Sequence, residues 1–135
     1  MNDRLTKLQE KLQEFEVDGI LITNPENRYY ISGFTGSAGY LFITPDAAYL
    51  NTDFRYIEQA TNQAPSFEII KIDSELKWFV DLLVKHRINI LGFESEDLSF
   101  AGYSRFSDIL EKNKLNKIVT LKPLNASIEK IRAVK

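Results

Sequence analysis

The hydrophobic positions of this chain fall into two patterns, one typical of amphipathic helices and one typical of buried strands. Near the start, apolar residues separated by three or four positions, with Lys, Gln and Glu between them, predict a helix that packs one stripe on a core. These positions are Leu5, Leu8, Leu12 and Phe15. The pair Asp18-Gly19 is predicted to end the helix, and the continuous apolar run of residues 20–23 is typical of a strand covered on both faces.

Strand-like and helix-like segments alternate through the rest of the chain. Asn24 is predicted to cap a short helix that begins with Pro25, and Pro45-Asp46 separates two apolar runs in the manner of a β-hairpin. Further strands are predicted at residues 67–72, 88–94 and 117–121, and further helices at residues 54–62, at residues 73–87 and around Tyr103, Phe106 and Leu110. This alternation predicts an α/β fold with a mixed, mainly parallel sheet of about six strands, helices on both faces and one antiparallel hairpin.

The single tryptophan has a predicted position on the outer face of a helix. The helix predicted at residues 73–87 has a stripe that faces the core, formed by Leu76, Phe79, Val80 and Leu83. Trp78 follows Leu76 by two residues and therefore lies about 200° around the helix from it. We expect Trp78 to face away from this core and to contact a partner, because a large exposed aromatic side chain usually has one.

Composition limits the classes of protein to which the chain can belong. Its 135 residues, 44% hydrophobic and 27% charged, suit one globular domain with a single core. A formal net charge of −2 with interleaved signs provides no field that would attract nucleic acid or an anionic membrane. No run approaches the ~20 apolar residues of a membrane span, and the first residues lack the pattern of a signal peptide. We therefore expect a soluble cytoplasmic protein.

The chain offers few residues for catalysis or metal binding. Cysteine is absent, which excludes a disulfide framework and a thiol nucleophile. The single histidine, His86, is predicted to lie at a helix end, where the dipole favours a cationic side chain. Glu94, Glu96 and Asp97 form an acidic cluster without a histidine partner, and we expect them to cap the following helix. Two-metal hydrolysis needs several carboxylates and usually a His around ions ~3.5–4 Å apart, so the sequence predicts no catalytic residue and no metal site here.

Three glycines, Gly33, Gly36 and Gly39, recur at three-residue spacing before a strand-like run. A phosphate-binding loop is not indicated, because no Gly-Lys-Ser/Thr ending follows and the next element is a strand rather than a helix. Glycines permit positive φ and close backbone approach, so we expect a tight turn at a strand edge against which another domain packs. Ser37 in this turn has no adjacent His and is not a candidate nucleophile.

Several short motifs occur in a fixed order: Asn-Pro-x-Asn-x-x-Tyr after a strand, Ser-Gly-Phe-Thr-Gly-Ser, a hairpin, Thr-Asp-x-Arg-Tyr and a closing Ile-x-x-Ile-Arg-x-Val-Lys. In this order and spacing the chain resembles, over essentially all of its 135 residues, the amino-terminal domain of Xaa-Pro aminopeptidases, prolidases and creatinase. The residues that carry the resemblance are Asn24, Pro25, Asn27, Tyr29, Tyr30, Gly33, Phe34, Gly36, Ser37, Thr52, Asp53, Arg55, Tyr56 and residues 128–135.

The resemblance implies a ribonuclease H-like fold for residues 1–125 and, in residues 126–135, the start of a connector helix to a carboxyl-terminal catalytic domain. It implies that the parent protein is a metal-dependent hydrolase, an Xaa-Pro aminopeptidase or Xaa-Pro dipeptidase, acting on peptides with proline at the second position. Two divalent metals, usually manganese and sometimes zinc or cobalt, are expected in that catalytic domain, and no cofactor in this chain. The amino-terminal domain of the family supports oligomer contacts and closes over the active site, so a homodimer is expected.

The resemblance also indicates a substrate-contacting role for the second motif. Arg55, between Phe54 and Tyr56, offers a planar guanidinium that can grip a substrate carboxylate or peptide carbonyl with two hydrogen bonds. In creatinase-like relatives the arginine of this motif is similar in position to one that reaches the substrate. The alternative for Arg55 is an ion pair with Asp53 or Glu58, and Asp53 is expected to cap the helix.

Four aromatic residues are expected at an interface with the catalytic domain or a second subunit. They are Trp78, Tyr29, Tyr30 and Phe34. For the two tyrosines, packing in the core of this chain is the alternative. Phe54 stands where the aminopeptidases commonly have glycine, which leaves the preferred peptide length open.

Three other functions are weighed against the peptidase domain. The chain could be a free-standing binding or interaction module of the same fold, or the amino-terminal domain of a creatinase-like amidinohydrolase. A true ribonuclease H-like nuclease is disfavoured, because residues 20–23 contain no carboxylate to hold magnesium. The sequence does not decide between a dipeptidase and an aminopeptidase.

Overall fold

The computed structural model describes residues 2–72 and 76–133. The strands are β1 (Gly19–Ile22), β2 (Tyr40–Thr44), β3 (Ala47–Thr52), β4 (Glu68–Lys71), β5 (Ile90–Glu94) and β6 (Thr120–Leu124). The helices are α1 (Asp3–Lys11), α2 (Pro25–Ser32), α3 (Ile57–Gln63), α4 (Lys77–Lys85), α5 (Phe100–Lys112) and α6 (Ser127–Ala133), with a 3₁₀ turn (Phe54–Tyr56) before α3. The helix start predicted at residues 73–75 and the predicted helical residues 134–135 lie outside the described residues.

The six strands form one sheet in the order β4-β3-β2-β1-β5-β6. The β1–β2 and β2–β3 pairs are antiparallel, whereas β1–β5, β3–β4 and β5–β6 are parallel. Five strands therefore run in one direction and β2 alone runs against them. This arrangement confirms the predicted α/β class, the mixed and mainly parallel sheet, and the hairpin at Pro45-Asp46.

Both faces of the sheet are covered, so successive strand residues enter two separate cores. Ile20 and Ile22 of β1 pack with α1, α2, α3 and α6, whereas Leu21 between them packs with α4 and α5. Alternate residues of a strand point to opposite faces, and burial of both faces explains the continuous apolar runs of β1 and β2. The prediction of helices on both faces is confirmed.

One predicted helix boundary is wrong for a local reason. Helix α1 ends at Lys11 rather than near Asp18, because the chain reverses through turns in which Glu16 has φ 60°. Asp18 instead accepts hydrogen bonds from the backbone N–H groups of Asn89 and Ile90, at 2.9 and 2.8 Å, and so ties the start of β1 to β5.

The last strand lies three residues later than predicted. The apolar run that begins at Ile118 suggested a strand over residues 117–121, but Ile118 lies exposed in a turn after α5 and the strand begins at Thr120. The strand continues through Pro123, which lacks a backbone N–H. Because β6 is at the edge of the sheet, proline is tolerated there.

The prediction for Trp78 is also wrong. Its side chain is 5% exposed, stacks on the Tyr40 ring with centroids 5.3 Å apart, and packs edge-on against Phe79 and Phe106. The helical wheel separated Trp78 from Leu76, but α4 begins at Lys77 and Leu76 precedes it. Within α4 the buried stripe is Trp78, Phe79, Leu82 and Leu83. Trp78 is therefore a core residue and is not available as an interface anchor.

Candidate functional site

The sequence motifs lie together at the edge of the sheet formed by the carboxyl ends of the parallel strands. Because β1, β3 and β5 run in the same direction, the segments that follow them begin at the same edge. Strand β2 runs the opposite way, so the loop of residues 33–39 that leads into it, here called the glycine loop, lies at this edge too. Ligand sites in open α/β sheets occur at the carboxyl ends of the strands, which makes this edge the candidate site.

The glycine loop is held in place by a buried arginine of α2. The Arg28 guanidinium donates from Nη1 to the Gly39 carbonyl and from Nη2 to the Gly36 carbonyl, both at 2.9 Å. Burial lowers the pKa of Arg28, and the charges of Asp97 and Glu94 oppose that shift. Arg28 carries no sequence signal of this role, because an arginine in a predicted helix is usually exposed.

A second set of contacts joins the glycine loop to the 3₁₀ turn. Thr52 Oγ1 donates to the Ala38 carbonyl at 2.6 Å, and the Ser37 and Tyr56 hydroxyls are 2.6 Å apart. The Phe34 ring meets the Tyr56 ring edge-on with centroids 6.0 Å apart. The structure thus brings the two motifs into direct contact, and Ser37 has a structural partner in Tyr56.

Residues 53–56, here called the rim, present Arg55 and Phe54 to solvent. Asp53 accepts from the Arg55 backbone N–H at 2.9 Å, which confirms it as the cap of the turn. The Arg55 guanidinium also donates to both Asp53 oxygens, from Nε at 3.1 Å and Nη2 at 2.8 Å. Hydrogen bonding to Arg55 lowers the pKa of Asp53. Because the Arg55 side chain is 62% exposed and Phe54 is 72% exposed, both can meet another molecule.

The three remaining interface candidates differ in exposure. Phe34 is 1% exposed and belongs to the core under the glycine loop, so the interface prediction for it is wrong. Tyr29 is exposed. Tyr30 is partly buried and lies between two arginines, with Arg4 Cζ 4.1 Å and Arg132 Cζ 5.8 Å from its ring centroid. Of these three, the two tyrosines keep surface that a partner could contact.

A groove of about 640 Å³ crosses this edge between the glycine loop and the start of α5. Its walls include Ser37, Asp53, Asp97 and Arg105. Arg28 also lines it, so both charge signs and several hydroxyl groups face the groove. The groove is open, a shape that suits the edge of a shared site better than an enclosed pocket.

The acidic cluster of Glu94, Glu96 and Asp97, which begins at the last residue of β5, does not cap α5, contrary to the prediction. Ser99 takes that role by accepting from the Gly102 N–H at 3.0 Å. Glu94 is buried and points back to the start of α2, where Oε1 accepts from the backbone N–H groups of Thr23 at 2.7 Å and Asn24 at 2.9 Å. A carboxylate is favoured at a helix N-terminus, so Glu94 ties β5 to α2.

Asn27 extends these contacts to α6. Its Nδ2 donates to Glu94 Oε2 at 2.6 Å and to Glu129 Oε2 at 2.8 Å, and its Oδ1 accepts from Arg132 Nη1 at 2.9 Å. These four side chains are called the Asn27 network below. A charged residue at the end of a buried strand was the available signal for Glu94, but nothing in the sequence showed that residues so far apart would meet.

We predict that Glu94 titrates above its ordinary pKa of 4.5. Burial and the charge of Asp97 raise the pKa, while the hydrogen bonds from Asn24, Asn27 and Thr23 oppose the shift. Since the folded-state pKa then exceeds the unfolded-state pKa, the folded state binds more protons between the two values. The contribution of Glu94 to the free energy of unfolding therefore falls as pH rises through that window.

Carbon-detected NMR of the side-chain carboxyl resonances measures this titration directly, and the Glu94→Gln variant assigns the signal. A Glu94 midpoint at or below 4.5 would contradict the prediction.

The described side chains that could coordinate a metal ion do not lie close together. Among residues 2–72 and 76–133, no three His, Cys, Asp or Glu side chains converge so that they could hold a metal ion. His86 directly follows α4, in agreement with its predicted place at a helix end, and its Nε2 lies 2.7 Å from the Tyr49 hydroxyl. None of the described helices is long and apolar enough to cross a membrane.

Comparison with known proteins identifies the family. The family model of the Creatinase/Prolidase N-terminal domain matches residues 4–134. The chain is 37% identical over 133 residues to the uncharacterized peptidase YqhT of Bacillus subtilis, covering 98% of this chain and 36% of that protein. It therefore spans about a third of the length of this relative.

Solved structures agree with this match. An Xaa-Pro dipeptidase from Bacillus anthracis is 31% identical with a TM-score of 0.87, over 98% of this chain and 36% of that one. The N-terminal domain of cytoplasmic peptidase PepQ from Mycobacterium tuberculosis is 30% identical with a TM-score of 0.87, over 98% of this chain and 100% of that one. The chain thus belongs to the creatinase/prolidase N-terminal domain family, the amino-terminal domain of Xaa-Pro peptidases.

Proposed function

We propose that this chain is the non-catalytic domain of a proline-specific metallopeptidase, an Xaa-Pro aminopeptidase or dipeptidase of the cytoplasm. The observation that carries the proposal is the match to the whole of a separately solved peptidase N-terminal domain, at a TM-score of 0.87. In this proposal the chain works with its own carboxyl-terminal catalytic domain, which cleaves peptides with proline at the second position.

The metals of such an enzyme belong to the catalytic domain. Two divalent ions, manganese or alternatively zinc or cobalt, would there activate water for attack on the peptide bond. The described residues of this chain do not suit that task, because they bring together no ligand set. Their proposed task is to contact the substrate and to close the site.

The rim supplies the substrate contact in this proposal. Arg55 already makes a bidentate pair with a carboxylate, Asp53, and stands exposed beside Phe54. Water screens an ion pair at the surface, so Arg55 can exchange Asp53 for a substrate carboxylate or carbonyl that offers the same bidentate geometry. Exposed Phe54 flanks Arg55 at this substrate contact. Tyr29 and Tyr30 are the proposed contacts with the catalytic domain or the second subunit of a homodimer.

The first test concerns where hydrolysis occurs. The purified 135-residue chain with manganese is expected to cleave no Xaa-Pro peptide, whereas the longer protein that contains it is expected to do so. Release of the amino-terminal residue, followed by mass spectrometry, measures both. Metal-dependent cleavage by the short chain would refute the non-catalytic role. A coding sequence that stops after Lys135 would favour the free-standing module instead.

The second test concerns Arg55 in the longer protein. Arg55→Ala is expected to lower kcat/KM roughly 10- to 100-fold, because a hydrogen bond to a charged group is worth about 1.5–3 kcal/mol. The kcat/KM of Arg55→Lys should fall between those of wild type and Arg55→Ala, since an ammonium keeps the charge but loses the planar fork.

Glu58→Ala serves as the matched control, because Glu58 is an exposed charge just beyond the same turn. Thermal unfolding of each variant checks that stability is unchanged. An Arg55→Ala enzyme whose kcat/KM stays within about twofold of the Glu58→Ala enzyme would rule out the substrate contact.

A further inference from the structure

The Asn27 network has a fixed polarity. In this network the carboxylates of Glu94 and Glu129 only accept hydrogen bonds, and the guanidinium of Arg132 can only donate. Asn27 must therefore direct Nδ2 toward the two carboxylates and Oδ1 toward Arg132, which is the arrangement observed. Because asparagine carries both donors and an acceptor, it joins two groups of like charge that could not bond to each other.

Helix α6 depends on contacts outside itself. Its described residues are Ser127–Ala133, and most helical stability in proteins comes from packing against the rest of the molecule. Its apolar side is attached by Ile128 and Ile131, which are buried in the core with α1 and α2. Its polar side is attached by Glu129 and Arg132, both bonded to Asn27.

The two attachments differ in what they specify. Burial of Ile128 and Ile131 selects which face of α6 meets the core, but apolar contact is non-directional and sets the rotation of the helix only coarsely. Hydrogen bonds require both distance and angle, so the Glu129 and Arg132 bonds to one buried amide fix the rotation of the helix about its axis. Asn27 is itself hydrogen-bonded to Glu94 at the end of β5. The Asn27 network therefore fixes the orientation of α6 relative to the sheet.

We propose that Asn27 is a positioning residue that sets the orientation of α6 relative to the sheet. The orientation of α6 in turn determines where the catalytic domain lies relative to the rim that carries Arg55. This second step rests on the proposed function. The substrate does not touch Asn27 in this proposal. Asn27 influences catalysis only indirectly, because it fixes the direction in which α6 leads toward the catalytic domain.

Amide hydrogen exchange in the 135-residue chain tests the local part. The Glu129→Ala/Arg132→Met variant removes two exposed side chains and leaves the buried part of the network intact, so the fold is retained. Exchange at residues 130–133 is expected to rise at least about tenfold, because the variant removes two hydrogen bonds to Asn27. Exchange in α4 is expected to stay unchanged.

Asn27→Asp tests the central residue of the Asn27 network. The substitution is nearly isosteric and replaces the amide donor with a third carboxylate facing Glu94 and Glu129. Exchange in α6 should rise at least as much as in the double variant. Asn113→Asp makes the same chemical change at the exposed end of α5 and should leave α6 unchanged.

A rescue variant distinguishes the loss of matched hydrogen-bond donors and acceptors from a general destabilisation of the fold. In Asn27→Asp/Glu94→Gln/Glu129→Gln the two glutamine amides can donate to the new carboxylate at position 27, while Arg132 still donates as before. Protection of α6 should return toward the wild-type level. Wild-type exchange in the Glu129→Ala/Arg132→Met variant, or a triple variant no better protected than Asn27→Asp, would overturn the proposal.

The longer protein tests the remaining part. Glu129→Ala/Arg132→Met is expected to lower kcat/KM for an Xaa-Pro peptide several-fold, and unchanged kinetics with faster α6 exchange would overturn the placement of the catalytic domain. If the wild-type longer protein cleaves no Xaa-Pro peptide, the proposed function fails. The exchange measurements then still decide the role of Asn27.

Discussion

Replacing Arg28 with methionine is expected to lower the free energy of unfolding by about 3–5 kcal/mol, because two charge-assisted hydrogen bonds are lost from a buried site. The carbonyls of Gly36 and Gly39 would lose their Arg28 donors. An unsatisfied buried acceptor costs about 1–3 kcal/mol. Such a loss is large beside the total stability of about 5–15 kcal/mol that is usual for a domain.

Two terms oppose this loss. Arg28 Nε is buried and has no hydrogen-bond partner among the described residues, so its removal relieves a desolvation cost. Removing a buried cation also removes the cost of taking its charge out of water. That gain is limited, because a guanidinium is weakly hydrated and the charges of Asp97 and Glu94 already favour it. The lost hydrogen bonds therefore dominate, and the glycine loop is expected to detach from α2.

Arg28→Lys is the matched comparison, since it keeps the charge but cannot reach both carbonyls with one ammonium group. We expect it to lose about half as much stability as Arg28→Met. Urea unfolding of the 135-residue chain at neutral pH measures both. A methionine variant within about 0.5 kcal/mol of wild type, the effect of an ordinary surface substitution, would show that Arg28 does not hold the loop.

The parts of the fold that depend on local pattern were predictable. Asn24 and Pro25 specify a helix start through their own chemistry, and the cap forms as expected. The continuous apolar run of residues 20–23 specified a strand with two covered faces, which is β1. The meeting of the glycine loop with the rim follows from strand direction, once the hairpin is placed between them.

The parts that depend on distant residues were not predictable. Trp78 is buried by contact with Tyr40 and Phe106. These residues belong to a strand and a helix far away in sequence, so a helical wheel of α4 could not show the contact. Glu94 and Asn27 are separated by 67 positions, so their hydrogen bond could not be inferred from spacing. The candidate site was located by its exposed motif, whereas the residues that hold it in shape emerged only from the structure.

Replacing Gly36 with alanine is expected to lower the free energy of unfolding by about 3 kcal/mol, the upper part of the usual range for overpacking. A Cβ at this position would lie 2.1 Å from Cζ of Phe34 and 2.7 and 2.8 Å from its two Cε atoms. The ring is fully buried under the loop and packs against Tyr56, so it cannot swing away. Either the loop or the core must therefore shift.

Gly102→Ala is the matched control, because the nearest atom to its new Cβ is the mobile Cδ1 of Leu98, at 2.8 Å. Gly102 lies in the first turn of α5, where alanine gains about 1 kcal/mol of helix propensity. We expect this control to be neutral or slightly stabilising. Chemical unfolding of both variants gives the comparison.

Phe34→Leu tests whether the clash itself is the cause. Alone, the substitution leaves a cavity and destabilises the core. Combined with Gly36→Ala, it makes room for the added methyl group, so the double variant is expected to lose less stability than the sum of the two single changes. Additive losses in this cycle would show that the Phe34 ring does not force position 36 to be glycine, and that the strain arises in the loop backbone instead.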